Sequence, residues 1–447
     1  MTVFRRDIVN EISRFLSNSK RCIAVLHGLP CIGKSTILQQ LAEERCTGYI
    51  LADLATDREF RNVMSEALSA QSSLLSVLCD FFGLSEGTMR NTLLILDGAE
   101  YLGPDIRKLF TSDLPDRCLI ASDRADYLFS EEGSKTHYDD IEVQFFSVRS
   151  ITFSEFLSAI DHEDYRDIIR ARVHDNKTIP RMLREELSEL FIDYILVGGF
   201  PQAVFQYVSE RTNIPALRTI HRQIYATIRS TLCDRRLPYD DSISPARLLQ
   251  IFDYLQDSAE DYPLVFHPGR IRRGLSKSDF KAEIRFLVCN GLLAPVTVTG
   301  PEMATSDVPV DYIENSIPAV TDPGLQRLIG NDYDILFTTE QDSLPSYVLQ
   351  RALYAICYNN YIDPKYVELS RDRIIPLLIE SLNTAFVIVS NRTRKSRVAE
   401  EFLRNNGALQ CLHITDDSGR NESSEMTNHN IMWFELDETL KCKKSHF

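Results

Sequence analysis

In the first third of the chain, short runs of apolar residues end abruptly in a polar one. Cys22 to His27 (CIAVLH), Leu93 to Leu96 ahead of Asp97 and Arg117 to Ser122 (RCLIAS) follow this pattern, and Ile141 to Phe146 (IEVQFF) reads as a fourth strand. Continuous apolar runs without alternation mark strands covered on both faces, as in a parallel sheet flanked by helices. Helical spacing surrounds them: MTVFRRDIVNEISRFL reads as an amphipathic helix, and Ser35 to Leu41 opens another. The pattern predicts an open α/β sheet whose ligand side lies at the strand C-termini. Ser154, in RSITFSEFLSAI, reads as a helix cap.

Beyond residue 158 the pattern changes. Residues 159–235 are rich in helix formers (IPRMLREELSELFIDYIL) and predict a helical lid. Residues 236–330 read as a helix (PARLLQIFDYLQD), a connection, a second helix running to Asn290 with Gly291 as its stop, and a strand, an order compatible with a winged helix. Residues 331–447 predict a small α/β domain: TAFVIVS as a strand, SRVAEEFLRNNG as a helix, then LQCLHIT and IMWFELDETL as strands. Between the last two, DDSGRNESSEMTNHN reads as a flexible loop, and the terminal KCKKSHF as a frayed basic end.

At 447 residues the chain exceeds one ordinary core, and roughly 150 residues per domain gives about three domains. No apolar run approaches the ~20 residues of a membrane-spanning helix, and the charged N-terminus is unlike a signal peptide, so a cytoplasmic protein is expected. Ten cysteines occur singly, without C-x-x-C pairs or Cys/His clusters, which argues against a zinc site or a disulfide framework. A formal net charge of -15 disfavours non-specific attraction to DNA by the whole molecule, although a local basic patch survives that average.

Such a patch lies at Arg270, Arg272, Arg273, Lys277, Lys281 and Arg285. A helix-turn-helix would set these residues on DNA phosphates. They suit better a solvated helical face packed on a partner domain.

From Gly28, GLPCIGKS fits G-x-x-x-x-G-K-[ST], with a strand before it and a helix after it. Gly28 and Gly33 let backbone N–H groups curl around phosphates at a helix N-terminus, whose partial positive charge favours anions. Lys34 would reach the β- and γ-phosphates, the Ser35 hydroxyl would take one Mg²⁺ position, and Thr36 completes the phosphate-binding set. In NTLLILDGAEYL, Asp97 is the acid expected on the Mg²⁺ side. Position 98, where many ATPases place a water-polarising glutamate, is glycine, which leaves Glu100 as the nearest acid. Ser122, at the end of its strand, is the expected γ-phosphate sensor; Arg124 is either a second charge-stabilising group or a surface arginine.

These residues resemble the prokaryotic AAA-type P-loop ATPases that carry a C-terminal domain of unknown function and are related to the STAND class. The likeness rests on GLPCIGKST, LLILDGAE, ITFSEFL and DYILVGGFPQAV, with a weaker echo in YIENSIPAVTDPGLQRLI. It implies a P-loop NTPase core followed by the lid, winged-helix-like and C-terminal α/β domains, and it assigns Pro201 of GGFP to the adenine. Read without the family, Gly198 to Pro201 is a helix stop and turn. The chain departs from its relatives at Gly98 and in lacking an arginine in SKTHYDDI ahead of Glu142. An arginine finger contributes roughly 10³ to 10⁵ in rate, so slow hydrolysis follows. Relatives often carry a nuclease-like C-terminal fold; here only Asp363-Pro364-Lys365 fits a D-x-K pattern, and its proline argues against a catalytic strand.

The expected function is an ATP-binding switch ATPase using Mg²⁺ and coupled to a protein partner. Two alternatives are a DNA-associated ATPase and a non-hydrolysing interaction protein with structural nucleotide. No guanine-reading N/T-K-x-D motif occurs, and the choice of ATP rests on the resemblance.

Overall fold

The structure is a computed structural model. It describes residues 4–45, 48–129, 137–138, 141–175, 177–211, 213–257, 266–299, 316–329, 346–362, 365–370, 373–381, 384–390, 410–415 and 428–444. They form two compact units, one of Met1–Arg149, Gln223–Leu249 and Cys289–Gly291, the other of Ser150–Arg222, Gln250–Val288 and Leu292–Phe447.

The first unit is built on a six-stranded sheet. Its strands are β1 (Cys22–His27), β2 (Tyr49–Asp53), β3 (Leu93–Asp97), β4 (Arg117–Ser122), β5 (His137–Tyr138) and β6 (Ile141–Ser147), in the order β2-β3-β4-β1-β6-β5. All neighbours pair in parallel except the short edge pair β5 and β6. The three central runs are apolar because both faces are covered. Ile23, Val25, Leu94, Leu96 and Ile120 share one core with Phe60, Leu78, Ile106 and Phe110 from the helical segments. That topology, with a glycine loop between β1 and the next helix, is a P-loop NTPase core.

Helices α1 (Asp7–Asn18), α2 (Lys34–Arg45), α3 (Arg58–Ala70), α4 (Leu74–Phe82) and α5 (Glu86–Asn91) connect or flank these strands, and a 3-10 segment, Ala99–Thr111, follows β3. The amphipathic N-terminal pattern becomes α1, which buries Ile8, Val9, Ile12, Phe15 and Leu16. Two strands of this sheet, β2 and the two-residue β5, are absent from the sequence reading. β2 lies at the sheet edge, buries Ala52 and exposes Tyr49 and Leu51, so its pattern is not that of a doubly covered strand.

The second unit opens with α6 (Phe153–Ala159), α7 (Glu163–Asp175), α8 (Arg181–Val197) and α9 (Pro201–Ser209). Two helices, α10 (Ile214–Leu232) and α11 (Pro245–Asp257), have residues in both units. Then come α12 (Pro268–Ile271), a 3-10 turn Lys277–Phe280, and α13 (Lys281–Cys289), which stops before Gly291 at φ 79°.

A seven-stranded mixed sheet follows, of β7 (Leu293–Thr299), β8 (Ser316–Val320), β9 (Lys365–Ser370), β10 (Arg373–Ser381), β11 (Thr384–Ser390), β12 (Gln410–Thr415) and β13 (Asn428–Met432). Its order is β13-β12-β11-β10-β9-β7-β8. The strand β7 pairs antiparallel with β8 and parallel with β9, so the strands after α13 continue into the sheet. Helices α14 (Pro323–Ile329), α15 (Ser346–Asn359) and α16 (Leu436–Lys444) complete the unit. Among the described residues no helix is long and apolar enough to cross a membrane.

Three local expectations are corrected. Ser154 is not the cap of α6: Thr152 is, in a reciprocal capping box with Glu155, while the Ser154 N–H and hydroxyl bind Asp437. IMWFELDETL is not one strand: β13 ends at Met432, a 3-10 turn covers Trp433–Glu435, and the rest is α16. Leu436 and Leu440, four apart, are buried, and Asp437 pairs with Lys441 one turn on, which is helical spacing. The basic end is helical through Lys444 rather than frayed from Lys441. SRVAEEFLRNNG, Asp363-Pro364 and the loop residues 416–427 lie outside the described residues.

Candidate nucleotide site

Parallel pairing sets the ends of three strands side by side. His27 of β1 stands opposite Ser122 of β4, and Leu96 of β3 opposite Ile120, so Asp97 and the residues after Ser122 follow at the same sheet edge. The loop Gly28 to Gly33 leaves β1 here and runs into the first turn of α2, where Lys34, Ser35 and Thr36 lie. The fold thus brings Gly28, Gly33, Lys34, Ser35, Thr36, Asp97, Glu100 and Ser122 into the first unit, at or beside these strand ends.

The loop geometry demands its glycines. Gly28 has φ 153°, and a β-carbon on it would stand 2.3 Å from the Val148 carbonyl oxygen. Gly33 has φ 98°, and Cys31 also takes a left-handed φ of 65°, so the backbone curls within a few residues. Arg6 braces the loop, donating to the carbonyls of Arg149 (2.7 Å) and Ile32 (3.5 Å). Under it, burial, then Lys34 and Arg149, lower the His27 pKa to about 4. His27 is therefore uncharged at neutral pH, and the cation inside the loop is Lys34.

The two residues expected to share Mg²⁺ are close enough to interact: the Ser35 side chain favours the charged form of the Asp97 carboxylate. Asp97 also accepts the Gly98 N–H at 3.0 Å. Burial raises the Asp97 pKa, opposed by the Ser35 hydroxyl, Lys34 and the Gly98 N–H. A hydroxyl at the start of a helix beside a desolvated carboxylate is a donor set that fits Mg²⁺, an oxygen-seeking cation that retains several waters.

Gly98 has a structural cause. Its φ is 71°, and a β-carbon there would lie 3.2 Å from the Ala55 nitrogen. A glutamate at 98 would need a different backbone, so the departure from the usual acid pair is built into the turn after β3. Glu100, two residues on, is buried, and its Oε2 accepts the Asp123 N–H at 2.9 Å. Burial, then the neighbouring Asp123 charge, raises the Glu100 pKa to about 7.

At the end of β4 the residues divide unexpectedly. The Ser122 hydroxyl is buried in a local turn, donating to the Arg124 carbonyl (3.0 Å) and accepting the Arg124 N–H (3.1 Å). Arg124 is not a surface arginine. Its side chain is fully buried, bidentate to Asp126 at 2.7 Å and 2.7 Å, with the rings of Tyr127 and Tyr239 at 4.4 Å and 4.7 Å. Those partners hold the guanidinium where it stands.

The residue missed by sequence reasoning is Asp123. Its Oδ1 lies 2.5 Å from Lys34 Nζ, and the lysine also donates to the carbonyls of Gly28 (2.8 Å) and Leu29 (2.7 Å). An aspartate after a strand is ordinary turn chemistry, and only the pairing of β4 with β1 brings it to the loop.

Pro201 belongs to the second unit, as the first residue of α9. Before it, Gly198 caps α8 at φ 72°, a helix stop as the residues alone read. Gly199 donates its N–H to buried Asp322 at 2.7 Å and accepts from the Ile151 N–H at 2.8 Å. A β-carbon on Gly198 would come 2.4 Å from Asp322 Oδ1, so GGFP and the DPGL that follows β8 interlock. Of the basic residues, Arg270, Arg272, Arg273 and Arg285 are exposed, and Lys277 and Lys281 are half-buried.

No family model and no curated protein matches the chain. Among solved structures it is similar to a Walker-type ATPase of Pyrococcus abyssi at 15% identity, covering 73% of this chain and 96% of that one, TM-score 0.43. It is similar to the RuvB Holliday junction branch migration motor of Thermotoga maritima at 14% identity, covering 66% and 90%, TM-score 0.31. A third is AMPPCP-bound DnaA from Aquifex aeolicus, at 16% identity, covering 62% and 84%, TM-score 0.23. The fold assignment rests on the strand order and the loop described above.

Proposed function

We propose that the protein is an ATP-binding switch: it binds ATP with Mg²⁺, hydrolyses it slowly to ADP and phosphate, and reports the bound state to a protein partner. The observation that carries this reading is the glycine loop from Gly28 to Gly33 that leads Lys34 and Ser35 into the first turn of α2, at the C-terminal ends of parallel strands where Asp97 also stands. Gly28 and Gly33 shape the phosphate cradle, Lys34 and Thr36 bind phosphate, and Ser35 and Asp97 hold the metal. When bound, Mg²⁺ neutralises charge developing on the transferred phosphoryl group.

Glu100 is the acid that positions the attacking water. With a pKa raised to about 7, it can hold or accept a proton near neutrality. The absence of a glutamate at Gly98 and of an arginine in SKTHYDDI favours slow turnover. The adenine contact of Pro201, and with it ATP over GTP, rests on the family resemblance. So does the STAND relationship, whereas the organisation into a core (1–158), lid (159–235), winged-helix-like part (236–330) and C-terminal α/β domain (331–447) is read from the residue pattern. Ser122, as γ-phosphate sensor, would have to exchange its local turn for the phosphate.

The test is Mg²⁺-dependent ATP turnover under single-turnover conditions, with Glu100→Gln alongside. Slow hydrolysis in the wild type, and binding without hydrolysis in Glu100→Gln, supports this assignment. Wild-type protein that binds ATP and leaves it intact points to a structural nucleotide instead.

A second reading, DNA association, is favoured by four exposed arginines spread from α12 to α13, Arg270, Arg272, Arg273 and Arg285. It expects salt-sensitive duplex binding that weakens in Arg272→Ala/Arg273→Ala while nucleotide affinity is retained.

A further inference from the structure

Lys34 has three N–H donors, and all three are engaged: by the Gly28 carbonyl, the Leu29 carbonyl and the Asp123 carboxylate. A phosphate oxygen that reaches Lys34 must therefore replace one of them. The two carbonyls belong to the loop that cradles the phosphates. Asp123 arrives from another strand and is 29% exposed, against 5% for Lys34, so it is the partner free to leave. Its backbone stays anchored, because its N–H is held by Glu100. Side-chain rotation alone uncovers the lysine. The carboxylate also sits among like charges: it raises the pKa values of Asp97 and Glu100, for both of which burial is the larger cause.

We propose that Asp123 is a nucleotide-selectivity residue, an internal anion that competes with the terminal phosphate of ATP for Lys34. This rests on the ATP-switch reading and names the regulation of that same site. Asp123 approaches Lys34 from the ends of the strands, where Asp97 and Glu100 also stand, and so opposes a third phosphate more than a diphosphate cradled by the loop amides. The wild-type site is biased towards ADP, and ATP holds it only by expelling the carboxylate. That expulsion is the differential contact a two-state switch requires.

The experiment is calorimetric titration of the full chain with Mg²⁺ and either ADP or a non-hydrolysable ATP analogue, in wild type, Asp123→Asn and Asp123→Ser. Circular dichroism melts confirm that each variant is folded. Both substitutions should tighten the triphosphate analogue about tenfold, equivalent to ~1.4 kcal/mol, and shift ADP by less than about twofold. Equal shifts for both nucleotides, no shift, or weaker triphosphate binding overturn the proposal while leaving the ATP-switch reading intact. Wild-type protein that binds neither nucleotide removes that reading, and this inference with it.

Discussion

Asp97 in the first unit and Asp437 in the second are both carboxylates drawn out of water, and they are treated in opposite ways. Asp437 is buried yet receives the Ser154 N–H at 3.0 Å, the Ser154 hydroxyl, the Asn360 amide at 2.7 Å and the Lys441 ammonium at 3.2 Å. Burial pushes its pKa up, but Lys441, Ser154 and Asn360 outweigh it and hold the pKa below the usual value. Neighbouring Glu438 is set against Arg170 at 3.3 Å and Arg166 at 3.8 Å. Asp97 accepts one backbone N–H, and although Ser35 and Lys34 oppose its burial, its pKa is raised. A carboxylate satisfied by its own chain holds a helix in place. One left short of positive charge is poised to receive it from a ligand.

The largest effect expected is on the satisfied side. Asp437→Asn strips the anion from Lys441 and should lower stability by about 3 kcal/mol in urea denaturation. The linkage adds a pH test. A depressed acid stabilises above its unfolded value and loses that contribution as pH falls through the folded pKa, so the deficit of the variant should shrink below about pH 4.

Glu100 is expected to behave oppositely. Its pKa is raised from 4.5 to about 7, so the folded state binds more protons than the unfolded state between these values, and stability falls as pH rises through this window. Glu100→Gln should therefore melt a few degrees above wild type at pH 8 and alongside it near pH 4.5, read by differential scanning fluorimetry.

Removing the cap of α6 by Thr152→Ala should cost about 1 kcal/mol, since one orphan helix donor loses its acceptor. The smallest effect sharpens the contrast. Asp97→Asn should raise stability slightly, by roughly 0.5 kcal/mol, while abolishing Mg²⁺-dependent nucleotide binding. If Asp97→Asn and Asp437→Asn destabilised equally, the distinction between the two carboxylates would fail.

The comparison also shows what was legible in the residues. Strands β1, β3 and β4 were readable because double-sided burial writes an uninterrupted apolar run, and α11 because its apolar spacing is helical. The loop was readable because its chemistry is local: two glycines, a lysine and a hydroxyl within eight positions. Asp97 followed from its place after a strand.

Features that depend on distant partners were not legible. Asp123 matters only because β4 lies beside β1. Arg124, read as either a charge-stabilising group or a surface arginine, is covered by Tyr239, more than a hundred positions away. WFELDETL carries aromatic strand formers, and its turn and helix are secured by Ser154 on α6, by Arg166, Arg170 and Arg172 on α7, and by Asn360 just beyond α15. Its Leu436 and Leu440 spacing, and Asp437 four before Lys441, were the available signals.

The most direct test of the central claim is equilibrium binding of Mg²⁺-ATP to the wild-type chain and to Lys34→Ala, with and without Mg²⁺. The account predicts saturable, one-to-one, Mg²⁺-dependent binding by wild type that weakens at least ~30-fold in the variant, because truncating a buried charged partner costs about 2 kcal/mol or more. Equal affinity in the two proteins, or no binding by either, would contradict it.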